Sequence, residues 1–231
     1  MLGDHARYRL AWEAGRVRLR AGAGRRSFTL PASGPGAAVH LTTVSRLPAE
    51  VAAALARAVD RLRPHGPGHH YYPPPTMHLT VQNLDGLELD GDGGAARLAE
   101  LRALFGAHPP FQVAARGLGV SAGTVFAQVL AGDATLRALR ADLARLLQRH
   151  GLAPRRARLP GHANVVRFSG PVTAAFLAEL ARQRRTDFGS WTVTGVELVR
   201  TDRFLSGEGT TLLERLALGR LRDRGPGRGP S

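Results

Sequence analysis

The segments TMHLTVQNL, at residues 76–84, and GHANVVRF, at residues 161–168, decide the fold of this chain. Each contains a histidine, then any residue, then a small hydrogen-bonding residue and an aliphatic one: HLTV at His78–Val81 and HANV at His162–Val165. Polar and aliphatic residues alternate in both motifs, which is typical of short, half-buried β-strands. The sequence therefore predicts one such strand in each half of the chain.

Side chains on a strand alternate between its two faces, and this separates the polar from the apolar residues of each motif. His78 and Thr80 share one face of the first strand, and His162 and Asn164 share one face of the second. The aliphatic residues between them point into the core. Two equivalent strands are therefore expected to bring two imidazoles and two hydrogen-bond donors to a common cleft.

The residue types indicate which reaction such a cleft suits. Hydrolysis of a 2′,3′-cyclic phosphate needs a base that takes a proton from water and an acid that protonates the departing sugar oxygen. The pKa of imidazole suits both tasks, so His78 and His162 are the candidate pair. Thr80 and Asn164 are candidate donors to the nonbridging phosphate oxygens, where negative charge accumulates. This scheme requires neither a metal ion nor a nucleotide cofactor.

The periodicity of apolar residues predicts alternating strands and helices from residue 37 onwards. The clearest helical pattern places Leu136, Leu139, Leu143 and Leu146 on one face. Predicted strands lie at 38–45, 76–84, 110–118, 124–131, 161–168, 190–200 and 210–218, and predicted helices at 48–64, 94–106, 133–151 and 171–184. This order implies two similar halves within one compact unit.

Three regions are expected along the chain: a peripheral N-terminal extension at 1–36, the functional domain at 37–220, and a disordered basic tail at 221–231. Within the extension, Arg16–Gly22 and Arg25–Leu30 are expected to pair as a short hairpin. No segment has the apolar run of a signal peptide or a membrane helix. We therefore expect a protein of the cytoplasm that does not contact a membrane. We also expect it to be a monomer.

The chain contains no cysteine, and all 32 of its Lys and Arg residues are arginines. The lack of cysteine excludes disulfides, thiolate nucleophiles and cysteine-ligated metal centres. The lack of lysine excludes a phosphate-loop lysine, a Schiff base and the nucleophile of adenylate-forming ligases. Phosphate chemistry in this chain must rely on histidine, arginine, hydroxyls, amides or the backbone.

The formal net charge of +14 favours a polyanionic partner, because each phosphate neutralised by arginine releases condensed counterions. A codon usage biased towards arginine, alanine and glycine is a second explanation of the same charge. The charge by itself therefore does not identify a nucleic-acid enzyme.

The paired motifs resemble the H-x-T/S-x motifs of the 2H phosphoesterases, the superfamily of bacterial 2′-5′ RNA ligases and cyclic phosphodiesterases. Their spacing leaves room for one lobe between them, as in that family. The resemblance extends from about Ala37 to Leu218 and includes FQVAARGLGVSAGTVFAQV at 111–129 and FGSWTVTGVELVRTD at 188–202. It implies an α+β, bilobal fold, with two antiparallel-sheet lobes related by pseudo-twofold symmetry around a central cleft.

The resemblance also implies an activity: metal-independent opening of 2′,3′-cyclic phosphates or 2′-5′ linkages at RNA ends or in small nucleotides, with ATP-independent 2′-5′ ligation as the reverse. It assigns His78, His162, Thr80 and Asn164 to catalysis and Arg167 to phosphate binding, with no cofactor and no metal. Asn164 departs from the family pattern, which has Thr or Ser there. The rival hypothesis is therefore an RNA-binding module with the same fold that has lost turnover.

Other histidines leave two interpretations open. His40, in the sequence HLT, repeats part of the motif but lies too close to His78 for a lobe between them, so it is either a coincidence or part of the cleft lining. His65, His69 and His70 suggest a metal site, but no carboxylate is near them in the sequence. We favour a solvated loop for this cluster.

Aromatic and basic residues near the motifs are equally ambiguous. Tyr71 and Tyr72 precede the first motif and either stack on a base or pack within their loop, and Tyr72 is the candidate substrate-binding residue. Two arginine clusters either line the entrance to the cleft or form a solvated surface. They consist of Arg155, Arg156 and Arg158, and of Arg182, Arg184 and Arg185.

Overall fold

The computed structural model describes residues 3–22, 39–154 and 159–219. The helices are α1 (Asp4–Arg20), α2 (Ala49–Asp60), α3 (Gly94–Gly106), α4 (Thr135–Arg149) and α5 (Ala174–Arg182). The strands are β1 (His40–Arg46), β2 (His70–Tyr71), β3 (His78–Asn83), β4 (Phe111–Val120), β5 (Thr124–Ala131), β6 (His162–Arg167), β7 (Asp187–Val193), β8 (Gly195–Thr201) and β9 (Thr210–Ala217). Both motif strands are therefore present at the predicted places.

The strands of the described residues form two antiparallel sheets. The first sheet has the order β3-β1-β8-β9 and the second has the order β2-β6-β5-β4-β7. Strand β3 is an edge of the first sheet, and Cα atoms of β3 and β6 approach within 8 Å. The predicted α+β fold with two antiparallel-sheet lobes around a cleft is confirmed.

A strand–helix–strand unit occurs once in each half of the fold. The first is β1-α2-β3, in which Arg46 pairs with His78, and the second is β5-α4-β6, in which Gln128 pairs with His162. Helix α2 packs against β6 and β7 of the second sheet, whereas α4 packs against β3 of the first. The helix of each unit therefore packs against the other unit's sheet, and this holds the two motif strands beside each other.

The apolar face predicted for α4 is its buried face. Leu136, Leu139, Leu143 and Leu146 are each at most 3% exposed. They belong to one continuous core that includes residues of both sheets. Because burying a leucine side chain contributes roughly 1.5–3 kcal/mol, these four contacts fix α4 firmly on the fold.

The hairpin strand predicted at Arg16–Gly22 is wrong, because most of this segment is the end of helix α1. The alternation of arginine with Val17 and Leu19 suggested a strand. Burial along the segment follows a helical period instead, since the buried residues are three or four positions apart. They are Tyr8, Trp12, Gly15 and Leu19.

The predicted strand at 190–200 is also wrong as a single element. It is divided at Thr194 into β7 of the second sheet and β8 of the first. The short strand β2, which pairs with β6, was not predicted within its proline-rich surroundings. The predicted strand at 25–30 and the predicted tail at 221–231 lie outside the described residues.

Within the part of the chain that the structure describes, no helix combines the length and the apolar character that a bilayer span requires. The boundaries proposed for the extension, the domain and the tail stay predictions. Helix α1 nevertheless packs against β4, so the described part of the extension is joined to the second sheet.

Candidate active site

His78 begins β3 and lines the cleft between the two sheets. It is 8% exposed, and its Nδ1–H donates to the Thr76 carbonyl oxygen at 2.8 Å. This bond fixes the tautomer and leaves Nε2 as the nitrogen that can accept a proton. Burial lowers the pKa of His78 to about 4, the bond to Thr76 opposes this change, and the charges of Arg46 and Arg167 add to it.

His162 occupies the equivalent position at the start of β6 and lines the same cleft. Its ring meets Phe126 edge-on, with centroids 5.8 Å apart. Among the described residues, its buried Nδ1 has no hydrogen-bond partner. Burial lowers the pKa of His162 to about 4, and the charges of Arg140, His78 and Arg167 contribute. Both imidazoles are therefore uncharged at neutral pH before a ligand binds.

The two motifs share one cleft of about 890 Å³. Thr80 lines it beside His78, and Asn164 lines it beside His162, as the alternation along the strands predicts. Within residues 3–22, 39–154 and 159–219, neither the Thr80 hydroxyl nor the Asn164 amide has a side-chain hydrogen-bond partner. Both groups are available to donate to a ligand.

Arg167, at the end of β6, brings a positive charge to this cleft. Its Nε–H donates to the Tyr72 hydroxyl at 2.6 Å, and the Tyr72 hydroxyl donates in turn to the Arg203 carbonyl oxygen at 3.4 Å. No carboxylate of the described residues forms an ion pair with Arg167. Its terminal N–H groups are therefore free to bind an anion, and the bond to Tyr72 fixes the orientation of the guanidinium plane.

Tyr72 does not itself line the cleft. It is 3% exposed, and its ring packs edge-on against His78 and Phe204. A ring buried this far offers no free face to a base, so the structure favours the loop-packing interpretation. Tyr71 is buried as well, and its hydroxyl donates to the Gly66 carbonyl oxygen at 2.7 Å.

Arg140 is a residue of the cleft that the sequence analysis missed. From helix α4 it donates to the carbonyl oxygens of Thr80 and Val81, both at 2.8 Å, and to that of Pro160. One side chain thus ties the first motif to the segment that leads into the second. The signal in the sequence was an arginine between Leu136 and Leu143 on an otherwise apolar ridge of the helix.

Helix α1 also contributes to the cleft, which the sequence did not predict. Arg7 and Arg18 line it from one side, together with the alanines between them. The Tyr8 hydroxyl donates to the Val129 carbonyl oxygen at 2.9 Å and accepts from the Gly161 N–H at 3.1 Å. The helix is therefore held beside the residue that precedes the second motif.

The remaining histidines have other surroundings. His40 lines the cleft and pairs through Nδ1 with the Asp85 carboxylate at 3.3 Å, which agrees with the cleft-lining interpretation. The loop favoured for the other cluster is present but only partly solvated, because His65, His69 and His70 are all half-buried. His69 packs against Phe168 with centroids 5.1 Å apart, and His70 stacks on Phe204 at 4.0 Å.

The predicted arginine clusters do not reach the cleft where the structure describes them. Arg182 pairs with Glu179 at 2.6 Å, and the Arg184 guanidinium lies 4.4 Å from the centre of the Trp12 ring. Neither lines the cleft, and the same holds for Arg185. The other cluster, at 155–158, lies outside the described residues.

Comparison with known families and structures agrees with this geometry. The model of the 2′-5′ RNA ligase superfamily matches residues 48–204. No curated protein sequence is significantly similar to the chain. Several solved structures have the same fold.

One of these structures is TT0787 of Thermus thermophilus, which is 26% identical, with a TM-score of 0.57 and coverage of 78% of this chain and 98% of that one. E. coli LigT complexed with 3′-AMP is 20% identical, with a TM-score of 0.58 and coverage of 78% and 97%. E. coli LigT complexed with ATP is also 20% identical, with a TM-score of 0.55 and coverage of 78% and 98%. Because the family model matches well over half of its length, the chain belongs to the 2′-5′ RNA ligase superfamily of 2H phosphoesterases.

Proposed function

We propose that this protein is a metal-independent phosphoesterase that opens 2′,3′-cyclic phosphates or 2′-5′ linkages of RNA ends or small nucleotides. The observation that carries the proposal is the placement of His78 and His162 in one cleft, each with a free hydrogen-bond donor two residues further along its strand. E. coli LigT, which shares the fold, is seen in complex with 3′-AMP and with ATP, which supports a nucleotide as the ligand.

Hydrolysis of a 2′,3′-cyclic phosphate consumes one water molecule and produces a phosphomonoester. One imidazole takes a proton from water as the new P–O bond forms, and the other gives a proton to the sugar oxygen as its bond to phosphorus breaks. The Thr80 hydroxyl, the Asn164 amide and the Arg167 guanidinium stabilise the charge that grows on the nonbridging oxygens. Tyr72 holds Arg167 in place. In ligation a 5′-hydroxyl takes the place of water: one imidazole takes its proton as it attacks the phosphorus of a 2′,3′-cyclic phosphate, and the other protonates the departing 3′ oxygen. A 2′-5′ linkage then forms without ATP.

A panel of substrates tests this proposal. The protein is expected to hydrolyse at least one of a set of 2′,3′-cyclic nucleotides, cyclic-phosphate-ended RNAs and 2′-5′-linked dinucleotides. Activity is expected to persist after exhaustive chelation and without ATP, because the acid, the base and the phosphate donors are all side chains. Products are identified by mass spectrometry. Binding without turnover throughout the panel would favour the RNA-binding module, and strict dependence on a divalent ion would contradict the mechanism.

Replacing Asn164 by alanine is expected to lower turnover about a hundredfold. The physical reason is the loss of one donor to the developing charge, an effect of about 2.7–4 kcal/mol in comparable sites. Asn164→Thr restores a donor at the position where the family pattern has Thr or Ser, so it is expected to retain or raise turnover of simple cyclic phosphates. Steady-state kinetics of both variants provide the measurement.

Because a shortened side chain could leave a small cavity beside β6, thermal unfolding of both Asn164 variants serves as the control for folding. A folded Asn164→Ala protein with unchanged turnover would remove Asn164 from the mechanism. Thr80, Arg167 and backbone groups would then be left to hold the phosphate.

The pH dependence is expected to differ between kcat/KM and kcat. The free protein has both pKa values lowered to about 4, so the population with one charged and one neutral imidazole is greatest in acid. A bound phosphate anion favours imidazolium and raises these pKa values. The bell-shaped profile of kcat, which reports the bound state, is therefore expected at higher pH than that of kcat/KM.

The measurement uses a 2′,3′-cyclic mononucleotide, whose phosphodiester keeps its negative charge across the whole pH range. Titration of the His78 and His162 ring protons by NMR, with and without 3′-AMP, follows the same shift directly. Coincident profiles with no shift on binding would show that the anion does not lie against the imidazoles.

A further inference from the structure

Helix α1 has two adjacent stripes of residues with opposite character. Tyr8, Trp12, Gly15 and Leu19 are buried, whereas Arg7, Ala11, Ala14 and Arg18, each one position earlier, line the cleft. Both stripes follow the spacing of a single helix face. The helix therefore uses one stripe to attach itself to the fold and presents the other to the site of reaction.

The attachment is to the second sheet and is close. The Tyr8 hydroxyl bonds to the backbone of Val129 and Gly161, and the Arg184 guanidinium packs over Trp12. At Gly15, an added Cβ would collide with the Val120 carbonyl oxygen, so the helix approaches the end of β4 more closely than any other residue allows. These contacts make α1 a fixed wall of the cleft.

The stripe that faces the cleft is suited to a chain of phosphates. Arg7 and Arg18 are exposed, and neither pairs with a carboxylate of the described residues. Arg18 lies eleven positions after Arg7, which is about 16 Å along a helix. The alanines between them leave space beside the helix, and Leu10, 57% exposed at the edge of the cleft, offers an apolar surface.

This wall lies outside the residues that the family model matches, which begin at residue 48. It therefore adds to the site that the motif residues form. A mononucleotide needs only the motif residues and Arg167. A longer strand, whose end reaches His78 and His162, has further phosphates that must lie against another part of the cleft.

We infer that helix α1 binds the sugar–phosphate backbone of an RNA strand next to its reacting end, with Arg7 and Arg18 as phosphate contacts. The preferred substrates are then oligonucleotides that carry the reacting phosphate at an end, rather than free cyclic mononucleotides. This inference rests on the proposed function, since it extends the same cleft. It makes Arg7 and Arg18 determinants of substrate length, and they take no part in the chemical step.

The test compares two double variants on two substrates. Arg7→Ala/Arg18→Ala removes the contacts, and Arg9→Ala/Arg20→Ala removes the same charge from exposed positions of the same helix that do not line the cleft. The substrates are a 2′,3′-cyclic mononucleotide and a short RNA that ends in the same cyclic phosphate. We expect the ratio of kcat/KM for RNA to that for the mononucleotide to fall roughly tenfold in Arg7→Ala/Arg18→Ala and to stay unchanged in the control.

Salt dependence supplies a second readout, which a purely structural role would not change. Because each phosphate contact to a single strand contributes about 0.7 to the slope of log affinity against log salt, losing two contacts should reduce that slope by about 1.4. An unchanged ratio of kcat/KM, or an equal fall in the control, would overturn the inference.

Failure of the proposed function is recognised separately, because the wild type would then turn over neither substrate. In that case fluorescence anisotropy with a labelled, 3′-phosphate-ended RNA decides the role of α1. Weaker binding by Arg7→Ala/Arg18→Ala than by the control supports it. Equal binding by the two double variants contradicts it.

Discussion

Replacing either His78 or His162 by alanine is expected to lower turnover of a 2′,3′-cyclic phosphate roughly a hundredfold or more, the usual effect of removing a positioned acid or base. One imidazole cannot serve both oxygens, because water is activated on one side of phosphorus and the leaving oxygen is protonated on the other. The two groups act as one unit. The double variant is therefore expected to be little worse than either single variant.

The experiment needs variants that distinguish a loss of catalysis from a loss of folding. His78→Asn preserves a donor near the position of Nδ1, which bonds to the Thr76 carbonyl oxygen, but it has no counterpart of Nε2. It should fold as the wild type and be as inactive as the alanine variant. His150→Ala is the matched control, since His150 directly follows helix α4 and pairs with Glu100. Full activity in either folded His78 or His162 variant would disprove the two-histidine mechanism.

Replacing Arg140 by methionine is expected to lower the free energy of unfolding by roughly 2–4 kcal/mol and turnover by about a hundredfold. The loss of stability comes from the three carbonyl oxygens that lose a charged donor. The loss of turnover has a different cause. Without this tie the motif strands change their spacing, and small misplacements of reacting groups are costly. Denaturant unfolding and steady-state kinetics measure the two effects.

Two further variants show whether Arg140 affects turnover by positioning the motif strands. Arg140→Lys keeps the charge but cannot reach all three carbonyls, so it should recover only part of the stability. Arg137→Met changes an exposed arginine on the same helix and should have little effect. Because the charge of Arg140 helps to lower the pKa of His162, that pKa should rise in Arg140→Met and not in Arg140→Lys. A wild-type pKa in Arg140→Met would contradict the described placement.

The motif strands and the helices between them could be predicted because local patterns decide them. The alternation at His78 and Thr80 reports directly which face is polar, and the structure places both residues in the cleft. The predicted helix at 94–106 has the bounds of α3. In these segments local preference and tertiary burial favour the same structure, so the sequence alone was sufficient.

Other features depend on contacts that no local pattern reports. Helix α1 buries Gly15, whose role as a close-contact position is visible only once β4 lies against it. Arg140 is held by three carbonyl oxygens that only the assembled fold brings together. The uninterrupted run at 190–200 does not reveal that its two parts join different sheets. Tyr72 was identified as important, but the burial that makes it a support for Arg167 could not be predicted.

The division of that run at Thr194 has a mechanical consequence. Thr194 is the only residue between β7 and β8, and the six residues 72–77 make the similarly short connection from β2 to β3. Because a single residue spans only a few ångströms, the end of β7 and the start of β8 cannot move apart, and this fixes the two sheets to each other at that point. The link at 72–77 leads directly into His78. A change in the length of either link would therefore displace one sheet relative to the other.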